Sequence, residues 1–224
     1  PPLRQVPNLT MRDMGMDMGA MDMSGMEGMD HGSMNHGDMN MRDPSLAPPS
    51  MAVGVGVQSI SPAPENRLAE RPLGLENEPH RVLVYTDLVS LNPNLDTRQP
   101  SRTLEIHLTG NMERYMWSFD GVKFSDKAEP LAFRHNERVR VNLINDTMMP
   151  HPIHLHGHFF EVVTGNPGHH PMKHTVNVLP GGKVSFDLTA DALGDWAFHC
   201  HMLYHMHAGM FQVFSVRPIG GAAT

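Results

Sequence analysis

The sequence predicts an all-β domain, a sandwich or barrel, preceded by a long segment without a core of its own. Three observations carry this. Every Trp, Tyr and Phe of the 224-residue chain lies after residue 80, whereas residues 1–79 hold few aliphatics and no aromatic residue. After His80, short apolar stretches recur at regular spacing, separated by turn signals. Val139, Val141 and Leu143 alternate with Arg138, Arg140 and Asn142, the period of two expected of a strand with one buried face.

Taken in order, residues 11–41 contain eleven of the 20 methionines, interleaved with Asp, Gly, Ser, Asn and two His. Such low complexity predicts disorder, so 1–43 is expected to be a disordered Met/Asp/Gly-rich segment. Residues 44–79 are expected to be a linker, rich in proline (Pro44, Pro48, Pro49, Pro62, Pro64, Pro72 and Pro79), with the VGVGV run at 53–57 as an edge strand. Strands are expected at 81–87, 103–108, 115–119, 138–145, 154–164, 174–179, 183–188, 196–200 and 210–216. Turns are marked by Asp120-Gly121, Pro180-Gly181-Gly182 and Gly194-Asp195, and a short helical turn is expected at 191–193. The stretch 80–218 is long enough for one β-domain, with a flexible tail at 219–224.

Composition excludes several classes. The net charge is −7 and the Lys and Arg residues are scattered, which gives no footprint for nucleic acid. No apolar stretch approaches the ~20 residues that span a membrane. A single cysteine rules out an internal disulfide. The chain opens with Pro-Pro rather than Met and shows no signal peptide, so the natural N-terminus is expected upstream.

The chemistry concentrates in two clusters. Cys200 stands between His199 and His201, with His205 five residues and Met210 ten residues after it. About fifty residues upstream runs His151-Pro-Ile-His154-Leu-His156-Gly-His158. One thiolate, imidazoles and a thioether form the ligand set of a blue copper site. Zinc also takes Cys and His, but its closed sites want four strong ligands, typically with CxxC spacing, and have no use for Met210.

Strand parity divides these ligands. Residues i and i+2 share a face, so Cys200 points one way and His199 and His201 the other. His154 and His156 also share a face, with His151 opposite. Two sites back to back are therefore expected, one from His151, Cys200, His205 and Met210, the other from His154, His156, His199 and His201. Among the remaining candidates, His158 is expected to be structural or to orient ligands, His174 to be structural and His207 to face solvent near the Cys200 site. His169 and His170 are expected to be solvated, and Met148, Met149, Met202 and Met206 to be core. Thioethers select Cu(I) while Asp and His suit Cu(II), so the Met-rich segment is expected to bind copper.

HPIHLHGH and HCHMLYHMHAGM resemble the two C-terminal copper motifs of multicopper oxidases. RYMWSFDG, NDTMMPHPIHLHG, KHTVNVLPGG and TADALGDWAFHCH are similar to the bacterial copper-resistance branch of that family, over roughly residues 72–217. The resemblance implies a cupredoxin-like Greek-key fold and a type 1 copper held by His151, Cys200, His205 and Met210. It assigns His154 to type 2 copper and His156, His199 and His201 to the type 3 pair. Electrons would enter at type 1 copper from Cu(I) or a phenol-like donor and pass through Cys200 to His199 and His201. At the trinuclear cluster they would reduce O2 to water. A periplasmic location follows from the resemblance alone.

The family's trinuclear cluster takes eight histidines, four from each of two domains. No further H-x-H pair precedes residue 151, since His31, His36, His80, His107 and His135 are isolated. The chain is thus expected to be the C-terminal part of a larger oxidase, with the N-terminal cupredoxin domain as partner. Two other functions stay open: a copper-sequestering protein acting through its Met-rich segment, and an electron carrier with type 1 copper alone. The paired H-x-H motifs weigh against the second.

Overall fold

The computed structural model describes residues 6–15, 41–126 and 128–218. The disorder expected of the Met-rich run, save for residues 11–15 and 41, and the tail at 219–224 fall outside them. The strands of the described residues are β1 (Arg102–Asn111), β2 (Met116–Phe119), β3 (Leu131–Arg134), β4 (Arg138–Asn145), β5 (His151–Leu155), β6 (Phe160–Val162), β7 (Met172–Lys173), β8 (Thr175–Val178), β9 (Lys183–Thr189), β10 (Gly194–Cys200) and β11 (Phe211–Arg217). A five-residue helix, α1 (Leu203–His207), joins the last two. They form a six-stranded sheet in the order β2-β1-β4-β9-β6-β7 and a five-stranded sheet in the order β3-β11-β10-β5-β8. Most pairings are antiparallel; β1 with β4 and β3 with β11 are parallel.

The two sheets close on one core. From the six-stranded sheet come Ile106, Leu108, Val139, Val141, Leu143, Phe186 and Leu188, and from the other Ile153, Leu155, Val176, Val178, Phe198 and Phe214, all buried in a single cluster. Phe119 of one sheet stacks on Phe198 of the other, with ring centroids 5.1 Å apart. Alternation produces this directly. In β5 the odd residues His151, Ile153 and Leu155 are buried while Pro152 and His154 are half-buried. The fold is the all-β sandwich that the alternating pattern predicts, and β4 has the predicted bounds.

Several elements differ from expectation. Residues 81–87 form no strand: Asp87 accepts the Val84 N–H at 3.2 Å and pulls the chain into a 3-10 turn at Tyr85–Asp87. The VGVGV run is a turn, because Val57 N–H closes back on Gly54 C=O at 3.1 Å and tucks Val57 under Met51 and Ile60. The strand expected at 154–164 is two strands in different sheets; Gly157, with φ of +69°, supplies the left-handed corner between them. Gly194 and Asp195 open β10 rather than turn before it, and residues 191–193 make no helix. Strand β3, strand β7 and α1 were not anticipated.

The proline-rich stretch before the domain lies against the sandwich. Leu68 enters the main core although its segment lacks aromatics. Ser59 donates to the Asp146 carbonyl, Ser61 N–H to the Asp146 carboxylate at 2.9 Å, and Ala52 N–H to the Asp120 carbonyl at 2.9 Å. These anchors converge on a buried charge cluster. His107 Nδ1 lies 2.6 Å from the Asp146 carboxylate, and Asp120 accepts the His107 N–H at 2.8 Å.

Burial works against charge on His107, but Asp146, with Asp120 and Glu105 nearby, more than offsets it and raises its pKa. Burial pushes Asp120 up to about 6, against the opposing pull of His107. Both groups hold their protons more tightly when folded. The Asp120 contribution is complete below its unfolded value of 3.8 and is lost as pH rises through about 6. That of His107 is complete below 6.5 and is lost as pH rises through its higher folded value. Asp120→Asn keeps the acceptor for His107 and suits the left-handed backbone of residue 120 (φ +49°). The variant should be more stable than the parent at pH 8, by about 1–3 kcal/mol, and lose that advantage at pH 4. Urea titrations at the two pH values measure this, and an equal change at both would contradict it.

Candidate metal centres

Cys200 is the last residue of β10, and the register of that strand places both clusters. On the neighbouring β5, His199 stands opposite His154 and Cys200 opposite Ile153. Directly opposed residues bring their side chains close enough to touch, so His154 and His199 meet on the outer face while Cys200 enters the core. A slip of one residue would drive His199 inward and Phe198 out, losing about 1.5–3 kcal/mol for the phenylalanine alone.

On the inner face, Cys200 Sγ lies 3.6 Å from His151 Nδ1 and 3.8 Å from His205 Nδ1, and the two nitrogens are 3.1 Å apart. Donors bound to one cation at about 2.0–2.3 Å are spaced by such distances. His205 is the only buried residue of α1. Met210 is fully buried in the same core cluster as Cys200. Its carbonyl accepts the Cys200 N–H at 3.1 Å, and its N–H donates to the His205 carbonyl at 3.0 Å. The ordered spacing of Cys, His and Met thus folds into a small closed loop.

A chain of hydrogen bonds fixes the His151 ring. The Asn145 amide donates to the carbonyls of Met149 and Val178 at 2.7 and 3.0 Å. Its oxygen accepts the Thr147 N–H and hydroxyl at 2.9 and 2.8 Å. With its proton committed there, the Thr147 hydroxyl accepts from His151 Nε2, 2.7 Å away. His151 Nδ1 is left with its lone pair toward Cys200. Burial, reinforced by the His205 charge, pushes the His151 pKa down to about 3, so the ring is neutral and ready to ligate. Burial also pushes the Cys200 thiol up to about 11. A bound cation reverses that preference, because it deprotonates a coordinating thiol. A buried thiol, two neutral imidazoles and a thioether suit copper better than any other metal of the first row.

On the outer face, ligand nitrogens of His154, His156 and His199 lie within 4.8 Å of one another. His154 Nδ1 is 2.7 Å from the His174 carbonyl and His199 Nδ1 is 3.0 Å from the Cys200 carbonyl. Carbonyls only accept, so both Nδ1 atoms carry protons and both Nε2 atoms keep lone pairs. The two faces therefore present opposite ring nitrogens, Nδ1 inside and Nε2 outside. His199 Nε2 and His156 Nε2 are 3.0 Å apart. The His201 ring joins them, with centroids 5.5 Å from His154 and 6.0 Å from His199.

Six of the eight expected ligands thus form two groups on opposite faces of β10, with Met210 buried in the core beside one and the His201 ring beside the other. His158 is buried against the His156 carbonyl and Trp196. His174 lies at the rim beside His154 and Thr175, and His207 is exposed. His169 and His170 are not freely solvated: the His169 ring meets the Ser90 carbonyl and the His170 N–H donates to Asn94, tying down the 90–94 loop. Met149 and Met202 pack on the core, whereas Met148 is 40% exposed. Sequence reasoning missed Thr147 and Trp117. Trp117 stacks on His205 with centroids 3.9 Å apart and meets His151 edge-on at 5.1 Å. The polar run Asn145–Thr147 just before a buried strand was the available sign for the first; nothing local marks the second.

Thr147→Val removes the acceptor that sets the His151 tautomer. Loss of such a supporting bond is expected to weaken metal affinity about 10–100-fold. A competition titration with a chromophoric Cu(I) chelator reads it, and unchanged affinity would overturn this account of the ring.

Comparison with known proteins bears on what these centres belong to. Residues 97–220 match the multicopper oxidase family model. The chain is 51% identical over 158 residues to copper resistance protein A of Pseudomonas syringae pv. tomato, covering 70% of this chain and 26% of that protein. The corresponding protein of Escherichia coli gives the same figures. Multicopper oxidase MmcO of Mycobacterium tuberculosis is 43% identical over 119 residues, covering 52% of this chain and 23% of the relative. The chain spans about a quarter of the length of these relatives. A solved multicopper oxidase from Pediococcus acidilactici superposes on 59% of this chain and 30% of its own, with a TM-score of 0.50 and 21% identity, a likeness of fold. A family match over more than half of the chain, centred on the Cys200 and His151 motifs, joins the two back-to-back clusters in one conclusion: the chain belongs to the multicopper oxidase family.

Proposed function

We propose that this chain is the C-terminal, type 1 copper-bearing part of a periplasmic copper-resistance oxidase. The single observation that carries this is the division of ligands by β10: Cys200, with His151 and His205, lies on one side and His199, with His154 and His156, on the other. His151, Cys200 and His205 would hold type 1 copper, with Met210 as weak axial ligand. His154 would hold type 2 copper, and His156, His199 and His201 the type 3 pair. Copper so bound supplies one-electron chemistry, and a cluster of it reduction of O2 to water.

The chain's own part is to bind, orient and connect. Cys200 links the centres through one peptide unit to either side. The His199 Nδ1–H bond to the Cys200 carbonyl, at 3.0 Å, adds a second route between them. His154, His156 and His201 are at least partly open to solvent, as a face completed by another domain would be. The N-terminal cupredoxin domain of the same oxidase would supply the other four histidines. Among the described residues no helix is long and apolar enough to cross a membrane.

The electron donor would be Cu(I) or a phenol-like compound. The composition of residues 11–41 favours a second role, collection or sequestration of copper, because eleven thioethers in so short a run suit Cu(I). Deleting residues 11–41 separates the two. Loss of copper resistance with organic-donor oxidation intact assigns the segment to copper handling rather than to turnover.

Loaded with Cu(II), this chain should show the intense blue absorption of a thiolate–copper bond and no turnover of O2 by itself. Cys200→Ser should abolish the colour. Retention of the blue band in that variant, or O2 reduction to water by the lone chain, would refute the assignment.

A further inference from the structure

If the Cys200 group receives electrons, as proposed above, the donor cannot touch its ligands. His151 and Cys200 are fully buried and His205 is 2% exposed. The far nitrogen of His151 is closed off by Thr147. What covers His205 is an aromatic ring: the Trp117 indole lies parallel to the imidazole, at 19° and 3.9 Å. Trp117 is itself buried, but the next ring outward, Tyr115, meets it edge-on at 6.3 Å and is 49% exposed. Solvent, Tyr115, Trp117 and His205 thus form one unbroken series of rings.

Three costs are borne at this one place. Tyr115 ends the turn between β1 and β2 with φ of +48°, a left-handed conformation that strains a bulky side chain by about 1–3 kcal/mol. Glycine or asparagine would sit there without strain. Gly110 lies inside β1, paired with Trp117, and a Cβ at that position would come within 2.6 Å of the Trp117 ring. A glycine inside a strand weakens it, and here it clears the space the indole fills. Trp117 Nε1 is buried with no hydrogen-bond partner among the described residues, so stacking rather than a polar anchor orients the ring. A requirement for these two rings at this spot accounts for all three.

We propose that Tyr115 and Trp117 form the electron-entry ladder to His205, with the exposed Tyr115 ring as the contact for a planar phenol-type donor. The donor loses one electron from its π system and its phenolic proton to solvent. The electron passes across the Tyr115 and Trp117 rings, which end unchanged, and reduces the oxidised metal held by the Cys200 group. A flat donor stacks on Tyr115 as Trp117 stacks on His205. Tyr115 and Trp117 are positioning and conducting groups; they hold no metal.

The test uses the full chain loaded with Cu(II), mixed anaerobically with hydroquinone while the blue absorption bleaches. Tyr115→Gly should slow bleaching at least about tenfold, equivalent to about 1.4 kcal/mol of added barrier. Its blue band and reduction potential should stay in place, and the metal-free variant should melt no lower than the parent because the backbone strain is relieved. Tyr115→Phe, which keeps a ring, should bleach within about twofold of the parent rate. Trp117→Leu should also slow it. Bleaching of Tyr115→Gly at the parent rate with an unchanged potential overturns the ladder alone, as does equal slowing in Tyr115→Gly and Tyr115→Phe. Absence of a blue band in the loaded parent chain defeats the copper assignment and the ladder with it.

Discussion

The pairing of β10 with β5 is the constraint on which the rest depends. Strand alternation is a period of two, and the core enforces it: Phe198 and Cys200 face in, opposite Leu155 and Ile153, with Phe198 stacked on Phe119 and packed on Phe214. Once these apolar side chains are buried, His199 and His201 have no choice of direction. A hydrophobic register thereby sets the geometry of ligands that are not hydrophobic. It also sets the distance between the clusters, because neighbours in a strand cannot be separated by more than a peptide unit.

The two clusters differ in the way their surroundings treat charge. Around Cys200 everything favours the neutral state: burial holds the His151 and His205 pKa values down and the thiol up. Such a pocket has no charge of its own to lose, so a cation entering it meets lone pairs rather than protonated rings. Burial lowers His154 and His199 too, but their neighbours His156 and His201 are exposed. One group is enclosed by the sandwich; the other opens partly to solvent through His154, His156 and His201.

How much of this the sequence shows follows from where side chains alternate cleanly. Strand β4 could be read to the residue because Val139, Val141 and Leu143 alternate with polar neighbours; for β10 the faces of Cys200 and its flanking histidines were legible, but not its start at Gly194, which reads as a turn. Residues 81–87 misled because Leu83 and Val84 carry β propensity while the Asp87 carboxylate, invisible to periodicity, captures Val84 N–H. The run at 154–164 looked continuous since glycine as a residue is compatible with either an extended chain or the left-handed corner that Gly157 makes. Strand β3 is four residues long and α1 is five, too short for any period to declare itself. Of the candidate centres, the ligands were legible because their chemistry is rare. Thr147 and Trp117 were not, since a hydroxyl and an indole have many uses and only three-dimensional contact selects one.

Hydrogen bonds between protein groups hold the ligand loop. Between β4 and β5 the chain must turn through Asp146–Pro150 and deliver His151 into the core. Asp146 is fastened to His107 and to Ser61, Asn145 to Met149 and Val178, and Thr147 to Asn145 and His151. Buried polar groups linked in this way make a rigid unit, whereas an unlinked set would leave the loop several conformations. Rigidity matters here because freezing side chains on binding costs about 0.5–1.5 kcal/mol for each one ordered. That cost has already been met in folding, and the core residues that fix β10 against β5 meet it. Residues 11–41 offer a different chemistry, eleven soft thioether donors in one short run. Under the proposed function that composition would serve exchange of Cu(I), while the fixed rings and thiol of the Cys200 pocket would suit transfer of electrons rather than of metal.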